Sequence, residues 1–448
     1  MRVHHLAVLP LACLLFSRPA TADDTLTVLC ASSGTEQALC HHAVDGWSRM
    51  TSNAVRVLPL PSDWGAVLPL YRQFLSARTS VADVLVLDGT WIGALAPLLL
   101  DIPPAPQDAQ TLPRPFTVGE RRVALAWYRD IGLLFYRRDL LEHYGLAVPA
   151  RWDDLQRTAA AIQDAQRRDG NTAMWGYVWQ GHTGESLVCN ALEWFGGDGD
   201  APVAADGTVH ADTPAMRQGL GRAAGWVGTI SPPGVLTYDE EAARGAFQSG
   251  HAVFMRNWVY AWALLNDPQS PVAGRVGVAA LPRAGGTDTH GATDGGTGRA
   301  TGRATGVDGT VYLGIARNSA HPAQAVSLLR YLTSEEVERH QAVAGAYIPA
   351  RTTLLDDPSV AGAIPILRTI RPVLDAPILR PVAATGIDYP RASWIAANQF
   401  QQALRGVTTP ARALESLSAS LAGLSQLGRW ASADRPPLSS PIIQDHTP

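Results

Sequence analysis

The chain has 448 residues, of which 46% are hydrophobic and 17% are charged, and its formal net charge is −4. This length exceeds what one hydrophobic core usually supports, so two lobes are expected, and the composition is that of a globular protein rather than a disordered one. The charges are scattered along the chain, so the sequence has no electrostatic footprint for nucleic acid.

The first 22 residues have the pattern of an export signal. Arg2 supplies the positive charge, Leu6–Phe16 the short apolar core, and Ala20-Thr21-Ala22 the cleavage site. The apolar core is too short to span a membrane, and no later stretch reaches roughly 18 uninterrupted apolar residues. The sequence therefore predicts an exported protein that is cleaved after Ala22, with a mature chain starting at Asp23.

Export permits disulfide bonds, and the mature chain keeps Cys30, Cys40 and Cys189. Because three is an odd number, at most one pair can form within the chain. A bridge between Cys30, at the end of a strand, and Cys40, on the next helix, stays open at this point. There is no CxxC motif, and His41-His42 beside Cys40 does not resemble a zinc site, so neither a metal nor a cofactor is expected.

The first part of the mature chain alternates short strands with helices. Ser33 and Glu36 fit the capping box S-x-x-E at the start of the first helix. Val84–Leu87 is a continuous apolar run of the kind found in parallel sheets, and Asp88 follows it. The alternation indicates an α/β lobe with a mostly parallel sheet. The predicted elements here are strands at Leu26–Cys30, Val55–Leu58 and Val84–Leu87, and helices that run to about Met50 and over about Ala66–Ala77.

The middle of the chain continues the α/β pattern. Arg122–Tyr128 and Gly132–Tyr136 are predicted to be paired strands on either side of Asp130. Gly285–Gly309 is rich in Gly and Thr and low in complexity, so it is predicted to be a mobile surface loop. The remaining predicted elements are helices at Asp139–Tyr144, Trp152–Arg168, Thr213–Trp226 and Pro322–Leu332, and a strand at Tyr312–Ala316.

Phe247–Trp262 is the most informative segment, because it crowds aromatic side chains after a short apolar strand. The pattern predicts a helix that ends at Gly250 and a strand over Ala252–Met255. Trp258, Tyr260 and Trp262 then follow within five positions. Their polar tips make it costly to bury all three, and their flat faces suit a pyranose ring, although packing in a core is the alternative.

Four stretches of the chain resemble the extracellular solute-binding proteins of ABC importers, in particular the maltose- and trehalose-binding branch. The resemblance extends over nearly the whole mature chain in the expected order. The four stretches are DIGLLFYRRDLLEHYG from Asp130, WGYVWQGHTGESLVCNALEWFGG from Trp175, Tyr238–Glu241 with the aromatic segment Phe247–Trp262, and Gly314–Ala316 with Tyr347-Ile348-Pro349.

The resemblance implies two α/β lobes with a ligand cleft at the hinge between them, and lobe closure over the ligand. The first lobe would comprise residues 23–129 and 307–345, and the second residues 130–306 and 346–448. It also implies a periplasmic, monomeric, non-catalytic protein that binds a neutral saccharide and delivers it to inner-membrane permease subunits.

The resemblance further implies a set of ligand-binding residues, each with a structural alternative. Glu36 could have no role beyond closing the capping box, and Asp88 could cap the following helix. Trp91 could pack in the core, and Glu240 could be an ordinary acidic residue of a first helical turn. The full set is Glu36, Asp88, Trp91, Tyr128, Asp130, Glu240, Trp258, Tyr260 and Arg380. Trp179, Gln180 and Glu185 belong to the second motif, and the sequence leaves open whether they contact ligand or shape the lobe.

Two departures from the family pattern and two other functions are kept open. Gly309-Thr310-Val311 stands where relatives often carry Gly-Gly-Trp, which leaves the identity of the sugar in doubt. The Arg-Pro-x-Thr-Pro-Tyr-Tyr pattern is reduced to Arg380-Pro381-Val382 and then Ala383-Ala384-Thr385. An exported glycoside hydrolase would use two of the carboxylates as an acid–nucleophile pair. A third hypothesis is a binder of another ligand such as an amino sugar, a polyol or glycerol phosphate.

Overall fold

The computed structural model describes residues 25–31, 34–61, 64–79, 81–104, 115–196, 201–284, 306–427 and 430. Three predicted features lie outside these residues: the signal segment, Ser33 of the capping box and most of the Gly/Thr-rich stretch.

The described strands form two separate sheets. The first sheet has the order β11-β5-β10-β3-β1-β2, with β4 paired to β5, and the second has the order β7-β8-β6-β9. The strands are β1 (Leu26–Cys30), β2 (Val55–Pro59), β3 (Val84–Asp88), β4 (Pro115–Val118), β5 (Arg121–Arg129), β6 (Leu133–Arg137), β7 (Trp175–Val178), β8 (Ala252–Asn257), β9 (Val276–Ala279), β10 (Val311–Ile315) and β11 (Ile348–Pro349).

Helices cover both sheets, so each sheet has its own hydrophobic core. Helices α1, α2, α3 and α10 pack on the first sheet, and most of the others pack on the second. The helices are α1 (Gly34–Thr51), α2 (Val67–Ser76), α3 (Gly89–Leu95), α4 (Arg138–His143), α5 (Trp152–Arg168), α6 (Glu185–Phe195), α7 (Pro214–Trp226), α8 (Glu240–Gln248), α9 (Ala261–Leu265), α10 (Pro322–Leu332), α11 (Glu335–Gly345), α12 (Pro358–Ala363), α13 (Leu367–Asp375), α14 (Val382–Thr385), α15 (Tyr389–Leu404) and α16 (Pro410–Leu427).

The first sheet brings its predicted polar residues to one edge. Strands β1 and β3 run parallel, and every residue of β3 is buried, as its apolar run predicts. Strand β10 lies antiparallel between β3 and β5, and Val311 faces both Asp88 and Tyr128. Asp88 and Tyr128 therefore lie on either side of one residue at the same edge.

The chain crosses from the first sheet to the second between β5 and β6. These two strands do not pair with each other: β5 pairs with β10, β11 and β4, and β6 pairs with β8 and β9. The prediction of a hairpin around Asp130 is therefore wrong. A short connection was taken for a turn, whereas it is the point where the backbone leaves one sheet for the other.

A second crossing segment, residues 306–309, runs beside the first. Gly132 donates its amide to the Val307 carbonyl (3.1 Å), and Gly309 donates to the Asp130 carbonyl (2.9 Å). Val307 is fully buried. The prediction of a surface loop is therefore wrong for residues 306–309, because these four residues form part of the hinge.

Strand β11 forms a third link between the halves of the molecule. Ile348 pairs with Arg129, and Pro349 pairs with Tyr128. This strand joins the first sheet although it follows residue 345, where the first lobe was expected to end. The boundaries of the two lobes remain a proposal.

Cys30 and Cys40 form a disulfide with a Cα–Cα distance of 6.3 Å, while Cys189 is free and buried. The bridge ties the end of β1 to the second turn of α1. Among the described residues, no helix is both long enough and apolar enough to cross a membrane.

Candidate ligand-binding cleft

A cavity of about 760 Å³ lies between helices of the first sheet and segments of the second. Residues from α2 and α3 form one wall. The opposite wall comes from residues 182–186, the start of α8 and the start of α15. The lining residues are Trp64, Gly65, Leu68, Pro69, Arg72, Thr90, Trp91, His182, Thr183, Gly184, Glu185, Ser186, Asp239, Glu240, Glu241, Ile387, Asp388, Tyr389, Pro390, Arg391, Ser393 and Trp394.

Aromatic rings stand on both walls of this cavity. Trp91 is 6% exposed and packs against Trp64 with the two rings tilted by 34°, at a centroid distance of 5.0 Å. Trp91 also packs edge-on against buried Tyr71, so it has the packing role of its structural alternative as well as a place on the wall. Trp394 on α15 is 65% exposed although it lines the cavity, which makes it the most accessible aromatic face there.

One carboxylate cluster, which we call the paired cluster, is held by a guanidinium. Arg380 donates from Nη1 to Asp88 Oδ2 at 3.1 Å and to Glu185 Oε1 at 3.2 Å. The Arg380 side chain is 6% exposed. Asp88 also caps α3 by accepting bonds from the Thr90 amide and hydroxyl, both at 2.7 Å, so capping and the ion pair use different oxygens.

Sequence reasoning missed two members of the paired cluster and left the role of a third open. Glu185 accepts a hydrogen bond from the Tyr389 hydroxyl at 2.6 Å and another from the Ser393 hydroxyl. Tyr389 and Ser393 lie 204 and 208 residues from Glu185 in the chain. Of these three residues, only Glu185 carried a signal in the sequence, because it belongs to the second motif. The structure therefore joins the motif to α15 directly.

A second cluster, which we call the neutral-donor cluster, holds its carboxyl groups without a guanidinium contact. Tyr128 donates its hydroxyl to Glu36 at 3.2 Å and packs edge-on against Tyr347 at 4.8 Å. Asp130 Oδ1 accepts from the amides of Ile131 and Val259, both at 2.8 Å. Among the described residues, the donors to these two carboxyl groups are uncharged.

Burial raises the pKa of both carboxyl groups in the neutral-donor cluster. The pKa of Glu36 rises from 4.5 to about 7, although the Tyr128 hydrogen bond opposes the shift. The pKa of Asp130 rises from 3.8 to about 7, opposed by its two amide donors. Burial raises the pKa of Tyr128 and of Tyr347, and the charges of Glu36 and Asp130 raise both further, which places all four groups in one electrostatic neighbourhood.

Glu240, Trp258 and Tyr260 occupy the ground between the two clusters. Trp258 donates its indole N–H to Glu240 at 3.3 Å, and Glu240 also accepts from Ser186, next to Glu185. Tyr260 donates its hydroxyl to Glu241 at 2.7 Å. Trp258, Tyr260 and Trp262 all stay partly exposed, as the cost of burying their polar tips predicts.

The structure brings the nine predicted residues into one continuous region at the hinge. Trp91 and Glu240 line the cavity itself, and Asp88 and Arg380 meet directly behind its wall. The other five do not line this cavity. Trp258 and Tyr260 hydrogen-bond to its wall residues Glu240 and Glu241, and Glu36 and Tyr128 line a separate small pocket. Among the residues that the structure describes, no group of three or more His, Cys, Asp or Glu side chains could hold a metal ion.

The other two motif residues shape the second lobe. Trp179 is fully buried and donates its indole N–H to Ser231 at 3.1 Å. Gln180 is also fully buried and donates to the Arg256 carbonyl at 2.9 Å. Their recognisable pattern in the sequence therefore reflects the packing beneath the cleft.

The sequence and fold match known proteins. Residues 55–339 match the model of the family described as bacterial extracellular solute-binding protein. A protein of Deinococcus radiodurans named probable ABC transporter-binding protein is 35% identical over 412 residues, which are 90% of this chain and 94% of that protein. The chain belongs to the extracellular solute-binding proteins of ABC transporters, so it is a binding protein and not an enzyme.

Solved structures match the same fold. The structure of maltose-bound MalE3 of T. maritima has a TM-score of 0.80 and 31% identity, covering 89% of this chain and 99% of that one. The GacH receptor of Streptomyces glaucescens, solved without ligand and with acarbose, has a TM-score of 0.73 and 20% identity, covering 90% and 98%. The predicted two-lobed α/β periplasmic-binding-protein fold is confirmed.

Proposed function

We propose that this protein captures a neutral disaccharide or oligosaccharide of the maltose, trehalose or sucrose kind and presents it to inner-membrane ABC permease subunits. The observation that carries the proposal is the cavity between the two lobes, which has aromatic faces on both walls and carboxylates on the wall that residues 182–186, α8 and α15 form. A site of this size with few placed polar groups is typical of small-molecule binding.

The chemistry of the walls fits a sugar. Each sugar hydroxyl both donates and accepts a hydrogen bond, so carboxylates such as Glu240 and guanidinium groups such as Arg72 can satisfy it when water is excluded. The C–H face of a pyranose ring is apolar, and it can lie on the exposed indole of Trp394 or on Trp64. A phosphate ligand would instead favour a cluster of unpaired arginines.

The relatives support the same ligand class. The structure that shares 31% identity is described as maltose-bound. Structures at 19% identity are described with ribitol and with D-mannitol, and at this distance they support only the fold. Family membership argues against the glycoside hydrolase. A polyol or another small ligand remains the second candidate, and a panel of ligands separates it from a disaccharide.

Location, assembly and domain limits belong to the same proposal. We infer a periplasmic monomer that is cleaved after Ala22, with lobes at 23–129 plus 307–345 and at 130–306 plus 346–448. The family is extracellular, and the pattern of residues 1–22 is that of an export signal.

A thermal-shift panel tests the ligand class. A ligand that binds only the folded state raises the melting temperature by mass action. We expect maltose, trehalose, sucrose or a close α-linked glucoside to raise it, and phosphate and amino acids to leave it unchanged. A shift with ribitol or mannitol but with no disaccharide would favour the polyol alternative. A shift only with charged small molecules would contradict the saccharide proposal.

Small-angle scattering tests capture by closure. Contacts from both sides of the cleft can form together only when the lobes approach, so ligand binds the closed state more tightly. We expect a smaller radius of gyration with saturating sugar, and a smaller response at fixed sugar for Asp88→Ala. Identical curves with and without a bound sugar would leave a rigid, preformed pocket.

A further inference from the structure

A fully buried ion pair lies beneath the proposed binding site, between it and the hinge. Arg256 donates from Nη2 and Nε to the two carboxylate oxygens of Glu193, at 2.6 and 2.8 Å. Both side chains have no exposed surface. Burying two charges is expensive, and a pair of apolar side chains of similar volume is often as stable, so folding alone gives little reason for this pair.

Glu193 contacts both crossing segments. Its Oε1 accepts from the Val307 amide at 3.1 Å, on the second crossing segment. A side chain at Gly132, on the first crossing segment, would place its Cβ 2.0 Å from Glu193 Oε1 and 2.6 Å from Arg256 Nη2. Only glycine therefore lets the backbone at position 132 lie against the pair.

On its other side, Arg256 contacts Trp258, which together with Tyr260 and Trp262 we call the aromatic platform. Its guanidinium carbon lies 3.9 Å from the ring centroid of Trp258, which is within cation–π range. The same indole donates to Glu240 on the cavity wall. A Cβ at Gly309 would lie 2.8 Å from the Trp258 ring, so the second crossing segment also touches the indole directly.

Second-motif residues hold Arg256 in place. Gln180 donates to the Arg256 carbonyl and accepts from Nη1 at 3.3 Å, and Asn190 donates to the same Gln180 oxygen at 3.0 Å. Glu193 belongs to the same motif. The Arg256 guanidinium is therefore held in one position by hydrogen bonds in addition to its ion pair with Glu193. Its planar, forked donor geometry permits both.

We infer that the Glu193–Arg256 ion pair positions the indole of Trp258 by coupling it to the two crossing segments. The geometry of the hinge then sets the geometry of the aromatic platform. Movement of residue 132 or 307 shifts the Glu193 carboxylate, and the carboxylate shifts the Arg256 guanidinium. The guanidinium in turn moves the Trp258 ring, which orients Glu240. This inference concerns how the site works and rests on the proposed function of that site.

The test removes both charges together, so that no uncompensated charge is left in the core. In the double variant E193Q/R256M, Gln keeps an acceptor for the Val307 amide and Met keeps much of the length of Arg. Folding is checked by circular dichroism. Maltose affinity is measured by calorimetry, and the ring environment by ¹⁹F NMR of protein labelled with 5-fluorotryptophan, with the Trp258 signal assigned through Trp258→Phe.

We expect maltose to bind at least tenfold more weakly to the double variant, and the Trp258 signal to move. Adding Trp258→Ala should then reduce affinity much less than it does in the wild-type protein, because residues that act through one another are not additive. A folded double variant with maltose affinity within twofold of wild type and an unmoved Trp258 signal would overturn the inference.

The matched control is R137M/D139N, which removes a bidentate pair at the opposite end of β6 in the same lobe. It should change the melting temperature but neither the maltose affinity nor the Trp258 signal. If E193Q/R256M does not fold, Arg256→Lys replaces it, because Lys keeps the charge and loses the fork and the planar stacking. Its Trp258 signal should move and maltose affinity should fall about threefold, and no change in either would overturn the inference.

The readouts separate this inference from the proposed function. If the wild-type protein binds no saccharide, the proposed function fails. The coupling is then judged by the Trp258 signal and by hydrogen exchange of the Val307 amide, both in unliganded protein. Both should change in E193Q/R256M and neither in R137M/D139N, and any other pattern contradicts the coupling.

Discussion

The two carboxylate clusters of the cleft hold their carboxyl groups in different ways. In the paired cluster, the single cation Arg380 lies between Asp88 and Glu185 and offsets part of their negative charge. In the neutral-donor cluster, the described donors to Glu36 and Asp130 are a phenol and two amides, and burial raises the pKa of each to about 7. The first cluster is an ion pair that links the two walls. The second keeps carboxyl groups whose charge state changes near neutral pH.

Removing the central cation should show the largest difference between the clusters. Arg380→Met leaves two carboxylates facing each other without their partner, so we expect the free energy of unfolding to fall by ~3 kcal/mol. Chemical denaturation monitored by circular dichroism measures it. Arg371→Met breaks more exposed pairs on α13 and should cost less than about 1 kcal/mol. Equal effects of the two substitutions would mean that the paired cluster carries no special stability.

Replacing the acids of the neutral-donor cluster by amides should raise the free energy of unfolding at pH 8, whereas Arg380→Met lowers it. Their raised pKa means that the folded state binds more protons than the unfolded state between about pH 4 and 7. The free energy of unfolding therefore decreases as pH rises through this window, by up to roughly 3–4 kcal/mol for each group. Glu36→Gln and Asp130→Asn should each match wild type at pH 5 and exceed its stability at pH 8.

The geometry makes this a clean comparison. Both amides donate to the same oxygen of Asp130, so an Asn carbonyl can keep them. Asp88→Asn is the matched substitution in the paired cluster, and it should lower stability at both pH values because Arg380 loses a charged acceptor. Glu36→Gln and Asp130→Asn variants that lose stability at pH 8 would show that these carboxylates are compensated after all.

The sequence predicted the neutral-donor cluster better than the paired one. Tyr128 and Asp130 belong to one strand end and its connection, and Glu36 lies in the first turn of the helix after β1, so local pattern and sheet geometry place them at one edge. The contacts of Glu185 with Tyr389 and Ser393 join positions about 200 residues apart, and no local rule contains such a pairing. The crossing at Asp130 was predicted as a hairpin for the same reason, because a short connection does not reveal which sheet the next strand joins.

The smallest expected effect concerns the sugar itself. If ligand hydroxyls donate to Glu36 and Asp130, binding favours the charged carboxylates and lowers their pKa from about 7. Affinity should then rise between pH 6 and pH 8, by roughly two- to fivefold, with release of protons. Calorimetry in buffers of different ionisation enthalpy measures both quantities, using the best saccharide of the thermal-shift panel.

The double variant E36Q/D130N is the control for this last effect, since it removes both titrating groups and should bind sugar with an affinity that does not change over the same range. Asp88 has a guanidinium partner throughout, so Asp88→Asn should weaken binding while the wild-type rise with pH persists. A wild-type affinity that stays flat, or that falls as pH rises, would mean that the neutral-donor cluster does not accept hydrogen bonds from the ligand. The carboxylates that recognise sugar would then be those of the paired cluster and of the cavity wall at Glu240.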